Sequence, residues 1–110
     1  MEKSMIITVL DTETTGLKPN EHEIIEIALV SYIVSGNGEK FLLKEFESKI
    51  KPQNIAAASP EALKVNGYSK EEWVDAPSFE EMYPQIKKLI EGSDCLLGQN
   101  LIFDLNFISS

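Results

Sequence analysis

The sequence predicts an α/β fold on three observations. Its first half holds long apolar, β-branched runs, its second half holds helix caps followed by apolar residues at helical spacing, and its acidic residues fall where elements end. A chain of 110 residues with 43% hydrophobic and 25% charged content fits one ordinary globular domain, so residues 1–110 are taken as a single unit.

Met5-Ile6-Ile7-Thr8-Val9-Leu10 is apolar on both parities, which predicts a central strand covered on both faces that runs into Asp11-Thr12-Glu13. Gly16-Leu17-Lys18-Pro19-Asn20 is turn chemistry, and Ile24 to Val34 is a second long strand closed by Gly36-Asn37-Gly38. A third, Phe41 to Ile50, alternates loosely between apolar and charged residues before Lys51-Pro52. Three successive strands with short links imply an antiparallel meander.

Helices follow. Ser59-Pro60-Glu61 combines a Ser N-cap, Pro at the first helical position and an early acid, and Asn66-Gly67 ends that helix. Ser69-Lys70-Glu71-Glu72 and Ser78-Phe79-Glu80-Glu81 both match a capping box and predict two further helix starts. The second of these is expected to lay Phe79, Met82, Tyr83, Ile86, Leu89 and Ile90 on the sheet and to stop at Gly92. Cys95-Leu96-Leu97 reads as a short fourth strand with a buried, inert thiol, and Leu101 onward as a helix.

The bulk numbers exclude several classes. No apolar stretch approaches the ~20 residues of a membrane span, and the first residues show no secretory leader, so a cytoplasmic setting with no membrane partner is expected. The net charge of −8 opposes a broad electrostatic grip on nucleic acid, unless the acids gather around cations that bridge to phosphate. All ten basic residues are Lys, so bidentate reading of guanine edges by Arg is absent.

Asp11 and Glu13 lie two apart on a strand and project from one face, ~6.6 Å apart at ~3.3 Å rise per residue. Thr12 points the other way. Oxygen-only ligands of this kind suit Mg²⁺ or Mn²⁺, and the chain offers no His or Cys set for zinc. Asp104 is a third carboxylate, in the opening turns of the last helix.

Val9-Leu10-Asp11-Thr12-Glu13-Thr14-Thr15-Gly16 resembles the first motif of the DnaQ-like (DEDD) 3'-5' exonucleases, and Gly98-Gln99-Asn100-Leu101-Ile102-Phe103-Asp104 resembles the second, N-x-x-x-D. Ile24-Ile25-Glu26-Ile27-Ala28 and Ser59 to Gly67 are similar to the same family, so the likeness spans nearly the whole chain. It implies an RNase H-like fold, a mixed sheet of three antiparallel strands plus a parallel fourth with flanking helices. It also implies that Asp11, Glu13 and Asp104 bind two divalent metals for hydrolysis of phosphodiester bonds from the 3' end, by the chemistry of two-metal sites. By the same likeness Thr14 and Thr15 would line the terminal nucleotide, Val65 and Asn66 would flank its base or sugar, and Asn100 would support the site. Partners expected on this basis are single-stranded nucleic-acid 3' ends and a DNA polymerase. Gln99 stands where the family often has His. The family's third motif, H-x-A-x-x-D or Y-x-x-x-D, does not occur in the chain, so the expectation is the N-terminal portion of an exonuclease domain, C-terminally incomplete and inactive alone.

Two rival functions stand beside this one. A haloacid-dehalogenase-like phosphatase would also place an Asp at the end of an apolar strand, but would follow it with a crossover helix. A non-catalytic module that binds nucleic acid or a polymerase would account for the missing motif. Away from the site, His22 is expected as an exposed loop residue, Glu26 as a solvent-facing strand residue and Trp73 as an anchor between helix and core.

Overall fold

The computed structural model describes residues 3–109. Strand β1 (Met5–Thr14) pairs antiparallel with β2 (Ile24–Val34), β2 pairs antiparallel with β3 (Lys40–Lys49), and β4 (Cys95–Leu97) lies parallel to β1. The order is β3-β2-β1-β4, the mixed sheet that was expected. Helices α1 (Pro60–Val65) and α2 (Phe79–Glu91) fall between β3 and β4, and α3 (Leu101–Ile108) follows β4.

Caps explain the helix ends. Ser59 accepts from the Ala62 N–H, and α1 stops where Gly67 turns left-handed at φ +68°. The Gly67 N–H then reaches the Lys64 carbonyl and the Tyr68 N–H reaches the Leu63 carbonyl, the paired bonds of a Schellman ending. Ser78 and Glu81 form a reciprocal capping box at the start of α2, which runs unbroken through Pro84.

One predicted helix does not form. Ser69 does accept from the Glu72 N–H at 3.1 Å, but residues 70–75 make only turns. Trp73 must point inward there and Pro77 lies too close for further turns to develop. Conversely, Ile55–Ala57 form a 3-10 turn behind Asn54, whose side chain makes no cap bond.

Pleating assigns the two faces of β1. Thr8, Leu10, Thr12 and Thr14 are buried, whereas Val9 and Asp11 are exposed. The buried face joins Ile27 and Leu29 of β2, Ile86 of α2 and Phe107 and Ile108 of α3 in one core. On the opposite face Met5, Val9 and Leu97 remain 46%, 40% and 49% exposed. The expectation of a strand covered on both sides is therefore corrected: among the described residues only one face of β1 is covered. Cys95, expected to be buried, is half-buried and unpaired. Among the described residues no helix is long and apolar enough to cross a membrane.

Polar staples tie the layers. Asp94 clamps the start of β4 to β1, its N–H donating to the Ile6 carbonyl and its carboxylate accepting from the Ile6 N–H at 2.7 Å. Thr8, Ser31 and Ser93 share a hydroxyl cluster that joins β1, β2 and the turn after α2. Trp73 is 3% exposed and donates its indole N–H to the Ile25 carbonyl at 2.8 Å, which also accepts from the Ile50 N–H. Truncating Trp73 to Ala is expected to cost ~3–5 kcal/mol. Trp73→Phe should cost only ~0.5–1.5 kcal/mol, because the Ile50 bond still satisfies the carbonyl. Urea unfolding of both variants checks the difference, and equal losses would show that the indole hydrogen bond, not the packing, dominates.

Candidate active site

Residues 11–16 of motif one end β1 and enter a loop that the side chains of Thr14 and Thr15 hold. Thr14 donates its hydroxyl to the Gly16 carbonyl at 2.6 Å. Thr15 is 1% exposed; its backbone and hydroxyl both meet the backbone of Glu23, and its carbonyl accepts from the Ser59 N–H at 2.7 Å. Glu23 in turn accepts from the backbone N–H groups of Gln53 and Asn54. Gly16 is needed for space: a Cβ there would meet the His22 ring at 2.4–2.5 Å. The histidine ring therefore packs directly on the Gly16 backbone. His22, expected in solvent, is half-buried and accepts through Nδ1 from the Lys18 N–H at 3.1 Å.

Asp11 and Glu13 emerge from the open face of β1, and Thr12 between them faces the core, as their spacing requires. Asp104 arrives from below. Gly98 lets the turn after β4 press against β1, where a Cβ would stand 2.9 Å from the Leu10 carbonyl, and α3 then starts directly beneath the strand end. Asp104 is 4% exposed and accepts from the Thr12 hydroxyl at 2.6 Å.

The charges interact. Burial, then the charge of Asp11, then those of Glu26 and Asp104, push the Glu13 carboxyl above its ordinary value. Burial also raises Asp104; the Thr12 hydrogen bond opposes this and the Asp11 charge adds to it. Asp11, Glu13 and Asp104 therefore share one electrostatic neighbourhood. Among the described residues, however, no three His, Cys, Asp or Glu side chains gather closely enough to hold a metal ion.

Beside them lies a cleft of about 540 Å³ whose lining includes Glu13, Thr14, Val65, Asn66, Phe103 and Lys18. Of the residues expected to meet substrate, Thr14, Val65 and Asn66 lie on it, and Val65 is 84% exposed. Asn66 spends its amide N–H on the Thr14 carbonyl at 2.8 Å. The buried Thr15 is not on the lining, nor is Asn100, which precedes α3 without capping it through its side chain. A second cavity of about 400 Å³, beyond His22, holds none of the expected site residues.

Three neighbours of the site escaped the sequence reading. Glu26 stands opposite Glu13 in the β1–β2 register and is half-buried, where it was expected in solvent. Hairpin register would have revealed this pairing. Thr12 and Phe103 gave no comparable signal, because what each touches depends on where α3 docks.

The family model RNase_T, described as "Exonuclease", matches residues 8–110. The chain belongs to this DnaQ-like exonuclease family. It is 31% identical over 110 residues to the DNA polymerase III subunit epsilon of Treponema pallidum, an alignment that takes in 100% of this chain and 47% of that protein. Its identity to ribonuclease T of Shewanella denitrificans is 30% over 110 residues, with 92% and 49% covered. The chain thus spans about half the length of these curated relatives. Escherichia coli exonuclease I in complex with a dA13 oligonucleotide superposes with a TM-score of 0.77 at 18% identity, over 94% of this chain and 23% of that one. That likeness establishes the shared RNase H-like exonuclease fold. It also removes the phosphatase reading, since a loop and an antiparallel strand follow motif one where a crossover helix was required.

A nearly buried carboxylate with one hydroxyl partner and acidic neighbours costs the fold stability. Asp104→Asn keeps an acceptor for Thr12 and deletes that charge. The melting temperature is expected to rise, by ~4–8 °C for each kcal/mol regained. A fall would show that the charge supports the fold.

Proposed function

We propose that the chain carries the metal-binding half of a two-metal 3'-5' exonuclease site acting on single-stranded nucleic-acid ends. The supporting observation is the mutual electrostatic influence of Asp11, Glu13 and Asp104 around the end of β1, where Glu13 borders a cleft of about 540 Å³. The donor set fits hard divalent cations: it is all carboxylate oxygen, and its members repel one another in a way that Mg²⁺ or Mn²⁺ would relieve. Asp11, Glu13 and Asp104 would hold the ions. When bound, such ions supply an activated water and neutralise charge at the scissile phosphate.

The remaining residues bind and orient. Glu13, Thr14, Val65 and Asn66 border the space for a terminal nucleotide, and Lys18 is the cation on the lining. With no Arg and a net charge of −8, attraction for the phosphate backbone falls to bound cations and a few Lys residues. Asn100, exposed ahead of α3, would support the site once substrate is present. Thr15 would act indirectly, by fixing the loop that Thr14 and Gly16 share. The relatives named for DNA polymerase III make a DNA polymerase the proposed partner, and the free thiol of Cys95 accords with the proposed cytoplasmic setting.

No H-x-A-x-x-D or Y-x-x-x-D string occurs in these residues. Residues 1–110 alone are therefore expected not to cleave, while the natural polypeptide that carries them does. The absence of three closely gathered ligands among the described residues favours one alternative, a module that binds without cutting.

One assay separates the two. The natural polypeptide is incubated with 5'-labelled DNA or RNA oligonucleotides in Mg²⁺, with EDTA as control. An EDTA-sensitive ladder that shortens from the 3' end is the expected result, and Asp11→Asn with Glu13→Gln should lower its rate by at least ~10²-fold. Mn²⁺ should raise the melting temperature of the wild type and not of that variant. Binding of oligonucleotide without cleavage, and indifferent to metal, would favour the alternative.

A further inference from the structure

Four threonines on β1 and its exit are buried, and their hydroxyls are spent differently. Thr8 meets the hydroxyls of Ser31 and Ser93, Thr14 donates to the Gly16 carbonyl, and Thr15 accepts from the Glu23 N–H. Those partners are neutral and close the sheet or the loop. Thr12 alone of the four gives its proton to an ionisable group, Asp104, 92 residues away on α3.

We propose that Thr12 is the positioning residue for Asp104: its hydroxyl ties up Oδ1 and so fixes the orientation in which the second oxygen, Oδ2, is offered to the site. Among the described residues Thr12 supplies the hydrogen bond that the Asp104 side chain accepts. No described buried side-chain oxygen lacks a partner, so Oδ2, which is not the oxygen that Thr12 holds, is reached by solvent. A carboxylate pinned at one oxygen keeps one rotamer, and a pinned ligand binds a cation without first being ordered.

A tether between strand and helix would not need this chemistry. Asn at 104 would accept the same hydrogen bond without the cost of an ionised group that is 4% exposed. The hydroxyl is also the wrong group for pure packing, since Val has the same shape and no proton to satisfy. The pair Thr12–Asp104 therefore serves the acid, and through it the site of the proposed exonuclease, on whose reading the consequence for metal rests.

Two variants of the natural polypeptide test this. Thr12→Val removes the hydroxyl at constant shape, and Thr12→Ser retains it. In metal-free protein the ¹³C resonance of the Asp104 carboxyl carbon, assigned by its loss in Asp104→Asn, should move in Thr12→Val and stay in Thr12→Ser. With Mn²⁺ alone as the probe, calorimetry should show affinity ~10–100-fold weaker in Thr12→Val and within about threefold of wild type in Thr12→Ser. On an oligonucleotide, kcat should fall with the affinity while KM holds. If Thr12→Val does not fold, Thr12→Ala is read in the same way.

An unmoved Asp104 resonance in Thr12→Val overturns the proposal, as does a Thr12→Ser variant as impaired as Thr12→Val. Wild-type protein that binds no Mn²⁺ and cuts nothing would instead overturn the exonuclease reading. In that case the carboxyl resonance still decides whether Thr12 holds Asp104.

Discussion

The alternation of side chains along β1 is the constraint on which the other features depend. β1 is bonded on both edges, to β2 and to β4, so its register cannot slip without moving every side chain to the wrong face. With Leu10 seated in the core, Asp11 and Glu13 must face outward and Thr12 must face α3. The bulge between Glu13 and Thr14 then lets the chain leave the sheet without undoing that assignment. One strand thereby offers two carboxylates on one side and a hydroxyl on the other.

The cost of this arrangement is electrostatic. Glu13 sits opposite Glu26 and near Asp11 and Asp104, and burial first, then the charges of Asp11, Glu26 and Asp104, push its carboxyl above its ordinary value. Lys49 faces Glu26 in the β2–β3 register, yet its ammonium lies 4.7 Å over the Trp73 ring and makes no ion pair among those described. A fold selected for stability alone would place a Lys among these acids or thin them out. Clustering that persists without such a cation is characteristic of functional sites, where a bound ion or substrate completes the charge balance.

The parts of the fold legible in the sequence were those set by local chemistry. Strand β2 and the short β4 fall where the apolar runs place them, and Ser59, Ser78 and Gly67 mark helix ends because capping satisfies backbone groups within a few residues. Ser69 shows the limit of that logic: the cap bond forms, but a buried Trp73 and a nearby Pro77 stop the helix. Exposure was harder to read. Val9 and Met5 look like core residues by type, while their burial depends on what packs against the open face. For the site, the outward pair Asp11 and Glu13 followed from period alone. The contact of Thr12 with Asp104 joins residues 92 apart and arises only when Gly98 brings α3 beneath β1.

This gives the hexapeptide Asp-Thr-Glu-Thr-Thr-Gly a physical division of labour. Only Asp11 and Glu13 offer their polar groups outward; Thr12, Thr14, Thr15 and Gly16 are buried and committed to Asp104, the Gly16 carbonyl, Glu23 and His22 in turn. A bare pair of acids two apart on a strand would be left to sway at a frayed strand end. Here each committed residue removes one freedom: Thr15 fixes the loop to β2, Ser59 joins that loop to α1, and Asn66 returns from α1 to the Thr14 carbonyl. The circuit closes around the cleft, so the wall formed by Val65 and Asn66 is held in register with Glu13. The small residues of the motif thus fix the distance between Glu13 and the wall of Val65 and Asn66, which under the proposed function is the distance between metal ligand and nucleotide.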